Sequence, residues 1–198
     1  MIAIIDYGSG NIQSIKNALD YLKVESTITS DPKIIESADK IIFPGVGSFG
    51  YMMDQLNKKQ LIKPIKQSIA AQKPFLGICL GLQALFEESE ESTNVKGLAI
   101  FKGKVKKFTK GKIPQIGWNT ITPQNTNNNN NNIFSKGYTY FVNSYYVIPE
   151  DKSIIATKTN YFGNFTSAIQ YKNITATQFH PEKSGEFGLK LLRSWLKC

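Results

Sequence analysis

The sequence predicts an α/β fold: a single domain over residues 1–198 with a central mixed, largely parallel sheet flanked by helices and extended by antiparallel additions. Two textures lead there. Residues 2–91 alternate short β-branched runs with segments of helical period, the pattern of strand, crossover helix and strand that builds a parallel sheet. Residues 97–179 hold strand-like runs at close spacing, which add antiparallel strands. At 198 residues and 41% hydrophobic the chain is long enough and apolar enough to bury a core.

The first strand is "IAIID" (2–6), followed by "NIQSIKNALDYL" (11–22), where Ile12, Ile15, Leu19 and Leu22 recur at helical spacing. "KIIFP" (40–44) reads as a second buried strand, then a glycine-rich turn and helix from about Phe49 to Ala71, broken or restarted at Pro64. "PFLGIC" (74–79) is the third strand, leading into a predicted helix "LGLQALFEESEE" (80–91). The strand-like runs that follow are "GLAIFKGKVKKF", "IPQIGWNTIT", "YTYFVNSYYVIP", "SIIATKT", "TSAIQY" and "ITATQF". In the closing "SGEFGLKLLRSWLK", Phe187, Leu191 and Trp195 form an apolar stripe at i, i+4 and i+8 that fits a helix lying on the sheet. "QNTNNNNNN" (124–132) offers nothing to a core and reads as a passive surface loop.

The net charge of +9 makes an anionic partner worth weighing, and "KGKVKKFTKGK" (102–112) concentrates lysines. That stretch has no arginine and Phe108 as its only aromatic, so a solvated strand face fits better than a nucleic-acid site. The two cysteines, Cys79 and Cys198, are far apart, which argues against a disulfide framework and for a reducing cytoplasm. No apolar run is long enough to span a bilayer and "MIAIIDYGSG" lacks a signal-peptide pattern, so a soluble protein with no membrane partner is expected.

"GICLG" (77–81), after a strand and before a helix, is a cysteine version of the nucleophile elbow: flanking glycines permit a sharp turn that presents the side chain at the sheet edge. A helix start there favours the thiolate, the nucleophilic form. Taken alone the motif fits a buried packing cysteine equally well. The chain's single histidine decides between them. His180 stands in "ATQFHPEKS" with Glu182 two positions on, and in an extended segment the two side chains lie on one side, so the carboxylate can orient the ring. Cys79 as nucleophile, His180 as base and Glu182 as orienter make a catalytic triad.

"PGVG" (44–47), "GICLGLQ" (77–83), "GWN" (117–119), "YFVNSY" (140–145) and "HPEKSG" (180–185) together resemble the class I glutamine amidotransferases. "DYGSGN" (6–11) and "LFEESEE" (85–91) narrow the resemblance to glutaminase subunits of imidazole glycerol phosphate synthase, in histidine biosynthesis. The resemblance implies hydrolysis of L-glutamine through a γ-glutamyl thioester on Cys79, with backbone N–H groups of Val46 and Leu80 as the oxyanion hole. It implies substrate binding at Gly47, Gln83, Ser144 and Tyr145. It implies ammonia transfer to a separate (β/α)8-barrel cyclase in a heterodimer, with Asn11, Trp118 and Lys183 at the interface, and no cofactor or metal. The same chemistry in a paralogous glutaminase that amidates surface sugars is the alternative. Two positions depart from the family pattern, Gln115 and Asn143, where histidines are usual.

Overall fold

The computed structural model describes residues 1–8, 12–124 and 133–198, so the expected interface residue Asn11 and the tract 127–132 lie outside the described residues. The parallel half comprises β1 (Ile2–Ile5), α1 (Ile12–Tyr21), β2 (Ser26–Thr29), α2 (Pro32–Ser37), β3 (Lys40–Gly45), α3 (Phe49–Lys58), α4 (Ile62–Ala70), β4 (Phe75–Cys79) and α5 (Leu80–Gln83). Then come β5 (Glu88–Ser89), β6 (Gly103–Lys107), β7 (Gln115–Pro123), β8 (Gly137–Asn143), β9 (Tyr145–Pro149), β10 (Ile155–Asn160), β11 (Asn164–Tyr171), β12 (Ile174–Thr177) and α6 (Gly185–Leu196). The main sheet runs β2-β1-β3-β4-β12-β11-β10-β7-β8. Its first five strands are parallel, and β12 joins them by returning antiparallel from β11.

Side-chain alternation explains why helices cover both faces of the parallel half. Ala3, Ile5, Ile41, Phe43 and Phe75 point into a core with α2, α3 and α4. Ile2, Ile4, Ile42, Leu76 and Ile78 point into the opposite one with α1 and α6. Leu191 and Trp195 of the predicted α6 stripe are buried, and Phe187 packs partly buried on a third cluster under the antiparallel strands. Pro64 falls in the first turn of α4, where its missing N–H is tolerated, and the break before it comes at Gln60, with φ +56°. The strand β6 sets Val105 in the core and Lys104 and Lys107 in solvent, as the wet face of a strand requires.

Two expectations fail locally. The helix over 80–91 ends at Gln83, because the chain folds back: Leu98 donates to the Ala84 carbonyl at 2.8 Å and Gly97 to that of Glu87 at 2.9 Å. Gly97 permits this, since a Cβ there would lie 2.0 Å from the Phe86 carbonyl oxygen. "YTYFVNSYYVIP" is two strands, β8 paired with β7 and β9 paired with β6, parted at Ser144, whose carbonyl accepts from Phe108. No described helix is long and apolar enough to cross a membrane.

Candidate active site

Three adjacent parallel strands end at one crevice, the usual ligand position in open α/β sheets. Gly45 and Cys79 are register partners on β3 and β4, so the turn after β3 brings Val46 beside the cysteine. The strand β12 delivers His180 three residues past its end. Cys79 has φ +55° and ψ −108°, a conformation that costs about 1–3 kcal/mol and persists only where its surroundings enforce it. The enforcement is packing through glycine. A Cβ on Gly81 would sit 1.9 Å from the Phe43 carbonyl oxygen, so only glycine lets α5 close against β3. Since α5 is a single turn, its first N–H groups, and not a long helix dipole, act on the cysteine.

His180 is fixed from several sides. Its N–H bonds to the Tyr140 carbonyl at 3.0 Å, and the Ser184 hydroxyl donates to its carbonyl at 2.6 Å. Its Nδ1 lies 2.8 Å from Glu182 Oε1, and both side chains are 4% exposed. The contact arises in a 3-10 turn over Pro181–Lys183, with proline in its first position, and not in the extended segment expected. Burial opposes charging the ring, but the negative charge of Cys79 and its hydrogen bond, with Glu182 behind, outweigh it and raise the His180 pKa to about 10. The arrangement therefore favours a charged imidazole between Cys79 and Glu182.

The crevice is a cavity of about 290 Å³, and its lining includes Cys79, His180, Leu80, Gln83, Ser144 and Tyr145. Val46, Gly47 and Lys183 line it as well. A larger hollow of about 430 Å³ near the start of β12, by Phe101 and Ile174, contains neither cysteine nor histidine. Trp118 does not line the cavity. It is 57% exposed on an outer face of the β7–β8 hairpin shared with Ile116, Tyr138 and Val142, and Val142 also borders the cavity.

Two predicted positions carry more constraint than the sequence suggested. The Val46 N–H is bound by the Tyr7 hydroxyl at 3.1 Å, and the same hydroxyl donates to the Val46 carbonyl at 3.0 Å. Tyr7 is fully buried and does not line the cavity, so this N–H is held away from it. The Gln83 amide, expected to hold substrate, donates instead to the Tyr145 carbonyl at 3.2 Å and to Gln178 Oε1 at 3.0 Å. Only its oxygen is left to face a ligand. Glu91, Gln178 and Tyr7 were not singled out by sequence. Glu91 lines the cavity while accepting the Phe49 N–H at 2.7 Å, and in sequence it is marked only as the last residue of the "LFEESEE" motif. Gln115 and Asn143 are cross-strand partners, both buried, and Asn143 donates to the Tyr145 carbonyl at 3.0 Å. Among the described residues no group of three or more His, Cys, Asp or Glu side chains is placed to hold a metal ion.

A family model, glutamine amidotransferase class-I, matches residues 3–197. The chain is 48% identical to the imidazole glycerol phosphate synthase subunit HisH of Pyrococcus furiosus, over 98% of this chain and 97% of that one. It is 46% identical to the protein of the same name from Methanothermobacter thermautotrophicus, over 100% and 98%. A solved structure titled glutamine amidotransferase superposes with a TM-score of 0.76 at 14% identity, over 100% of this chain and 98% of that one, and shows the shared fold. The chain belongs to the class I glutamine amidotransferase family.

Proposed function

We propose that residues 1–198 form one glutaminase domain that hydrolyses glutamine and passes ammonia, in the cytoplasm, to a partner cyclase for imidazole glycerol phosphate synthesis. The names of the full-length relatives support this pathway over surface-sugar amidation. The observation that carries the chemistry is the Cys79, His180 and Glu182 arrangement at the cavity.

In this reading the Cys79 thiolate attacks the side-chain carboxamide carbon of glutamine. The imidazolium of His180 gives its proton to the departing nitrogen, ammonia leaves, and a γ-glutamyl thioester remains. Water then attacks the thioester, His180 takes the water's proton, and glutamate departs as the thiolate returns. The Leu80 N–H serves the tetrahedral oxyanion, and Val46 adds a second donor once its peptide turns. Glu91 is the cavity carboxylate suited to the substrate's α-ammonium group.

Tyr7 holds the Val46 N–H off the cavity, and one missing oxyanion donor costs about 3 kcal/mol of barrier, so the free chain is a weak glutaminase. Glycines on both sides of Val46 permit its peptide to turn. A liganded partner that binds only the turned state restores activity. The exposed β7–β8 face with Trp118 and Tyr138, beside the cavity mouth, suits that partner, a (β/α)8-barrel subunit completing a heterodimer. Lys183 at the cavity edge, and Asn11, complete its contact.

The test is glutamate release from glutamine by the chain alone, with the cyclase, and with the cyclase plus its nucleotide ligand. About a hundredfold rise across the series is expected, and full activity in the isolated chain, unchanged by either addition, would overturn the reading.

A further inference from the structure

Given Cys79 as nucleophile, we infer that Gln178 is a further catalytic residue, whose side-chain amide donates to the Cys79 sulfur and stabilises it as a thiolate. Gln178 is fully buried one residue past β12, and its Nε2 lies 3.6 Å from Cys79 Sγ, within the range of hydrogen bonds to sulfur.

The direction of this bond follows from the chain of amides behind it. The Tyr145 backbone carbonyl can only accept, so the Gln83 side chain must turn its Nε2 toward it, at 3.2 Å. The same Nε2 donates to Gln178 Oε1 at 3.0 Å, which leaves the Gln178 nitrogen facing the sulfur. Flipping either amide would set two NH2 groups against each other or two oxygens together. The backbone of Gln178 is itself tied to the Ser167 carbonyl at 2.9 Å, so the donor is held in place before the substrate arrives.

On the other side of the sulfur lies the Val142 carbonyl, 3.8 Å away, which can accept from a thiol but repels a thiolate. The Gln178 N–H acts in the opposite sense and favours the anion. The bond matters at two points of the cycle, the resting thiolate before attack and the thiolate that leaves when water breaks the thioester. In the thioester itself the sulfur carries no charge and the bond is weak, so it strengthens as the thiolate departs and its stabilisation of that step is differential, while before attack it acts by raising the fraction of Cys79 present as thiolate.

The experiment uses the Cys198→Ala background, which leaves Cys79 as the single thiol. In Gln178→Leu, alkylation of Cys79 by iodoacetamide at neutral pH should slow about tenfold and approach the parent rate at alkaline pH, where the thiolate forms without help. The glutaminase kcat of the liganded complex should fall by a similar factor with KM little changed. Equal alkylation at all pH values, or a deficit that alkaline pH does not relieve, would overturn the inference. Should Gln178→Leu not fold, the Gln178 side-chain amide protons of the parent chain give the answer by nuclear magnetic resonance: they should shift when Cys79 is alkylated, and unmoved resonances would overturn it. Alkylation needs neither glutamine nor the cyclase, so an inactive complex with Gln178-dependent alkylation would refute the proposed function, and with it the catalytic role, while leaving the Gln178 bond to the thiolate standing.

Discussion

The titration of His180 offers a sharp test of the charged imidazole, because His180 is the chain's only histidine and gives one ring signal. Burial alone would push its pKa below 6.5, yet it stands at about 10, with the Cys79 charge the largest raising influence and Glu182 the smaller. The rise corresponds to on the order of 5 kcal/mol of preference for the charged ring. Replacing Cys79 with alanine leaves Glu182 to oppose burial by itself, so the midpoint should fall steeply, and further than in Glu182→Gln. Stability follows with a definite sign. The folded value lies above the unfolded one, so this contribution is complete below about pH 6.5 and is lost as the pH rises through about 10. Denaturant unfolding of the parent chain should therefore weaken between those limits, and that of Cys79→Ala much less. Glutaminase activity should fail along the same alkaline limb, as the proton for the leaving nitrogen is lost. A ring signal titrating near 6.5 in the parent chain, or a midpoint unmoved by Cys79→Ala, would refute the electrostatic account.

Gly81→Ala should abolish turnover and lower the melting temperature, because its Cβ would meet the Phe43 carbonyl oxygen at 1.9 Å and force α5 off β3, turning Cys79 out of place. Glutaminase assay and thermal unfolding measure both effects, and an active, equally stable variant would show that the close approach is not needed. Glu91→Gln keeps the acceptor for the Phe49 N–H but removes the charge, so KM for glutamine should rise about tenfold or more with kcat less affected. An unchanged KM would take Glu91 out of substrate binding.

The grouping of Cys79, His180 and Glu182 that carries the proposed chemistry was legible in the sequence because each member has a local signal: glycines around Cys79, proline after His180, and a carboxylate two residues on. The parallel half was legible through the alternation of β-branched runs with helical period. What escaped depends on contacts between distant segments. The run 84–91 keeps a helical composition, yet the N–H groups of residues 97–101 bond to the carbonyls of residues 84–87, and no local pattern announces that. The short β2 and α2 carry too few residues for periodicity to register. The resemblance names Gln83 as a substrate residue, and only the fold reveals that Tyr145 and Gln178 take up its amide donor. The hold of Tyr7 on Val46 likewise joins residues 39 apart in sequence.

The most direct measurement of the central claim is synthesis by the reconstituted complex with Cys79→Ala, supplied in turn with glutamine and with an ammonium salt. The thiol is needed only to generate ammonia, so glutamine-dependent synthesis should vanish while ammonium-dependent synthesis continues at the parent rate. Cys198→Ala, altered at an exposed cysteine, should retain both. Equal loss of the two activities in Cys79→Ala would mean that the residue is structural, and glutamine-dependent synthesis that survives would mean that another group is the nucleophile.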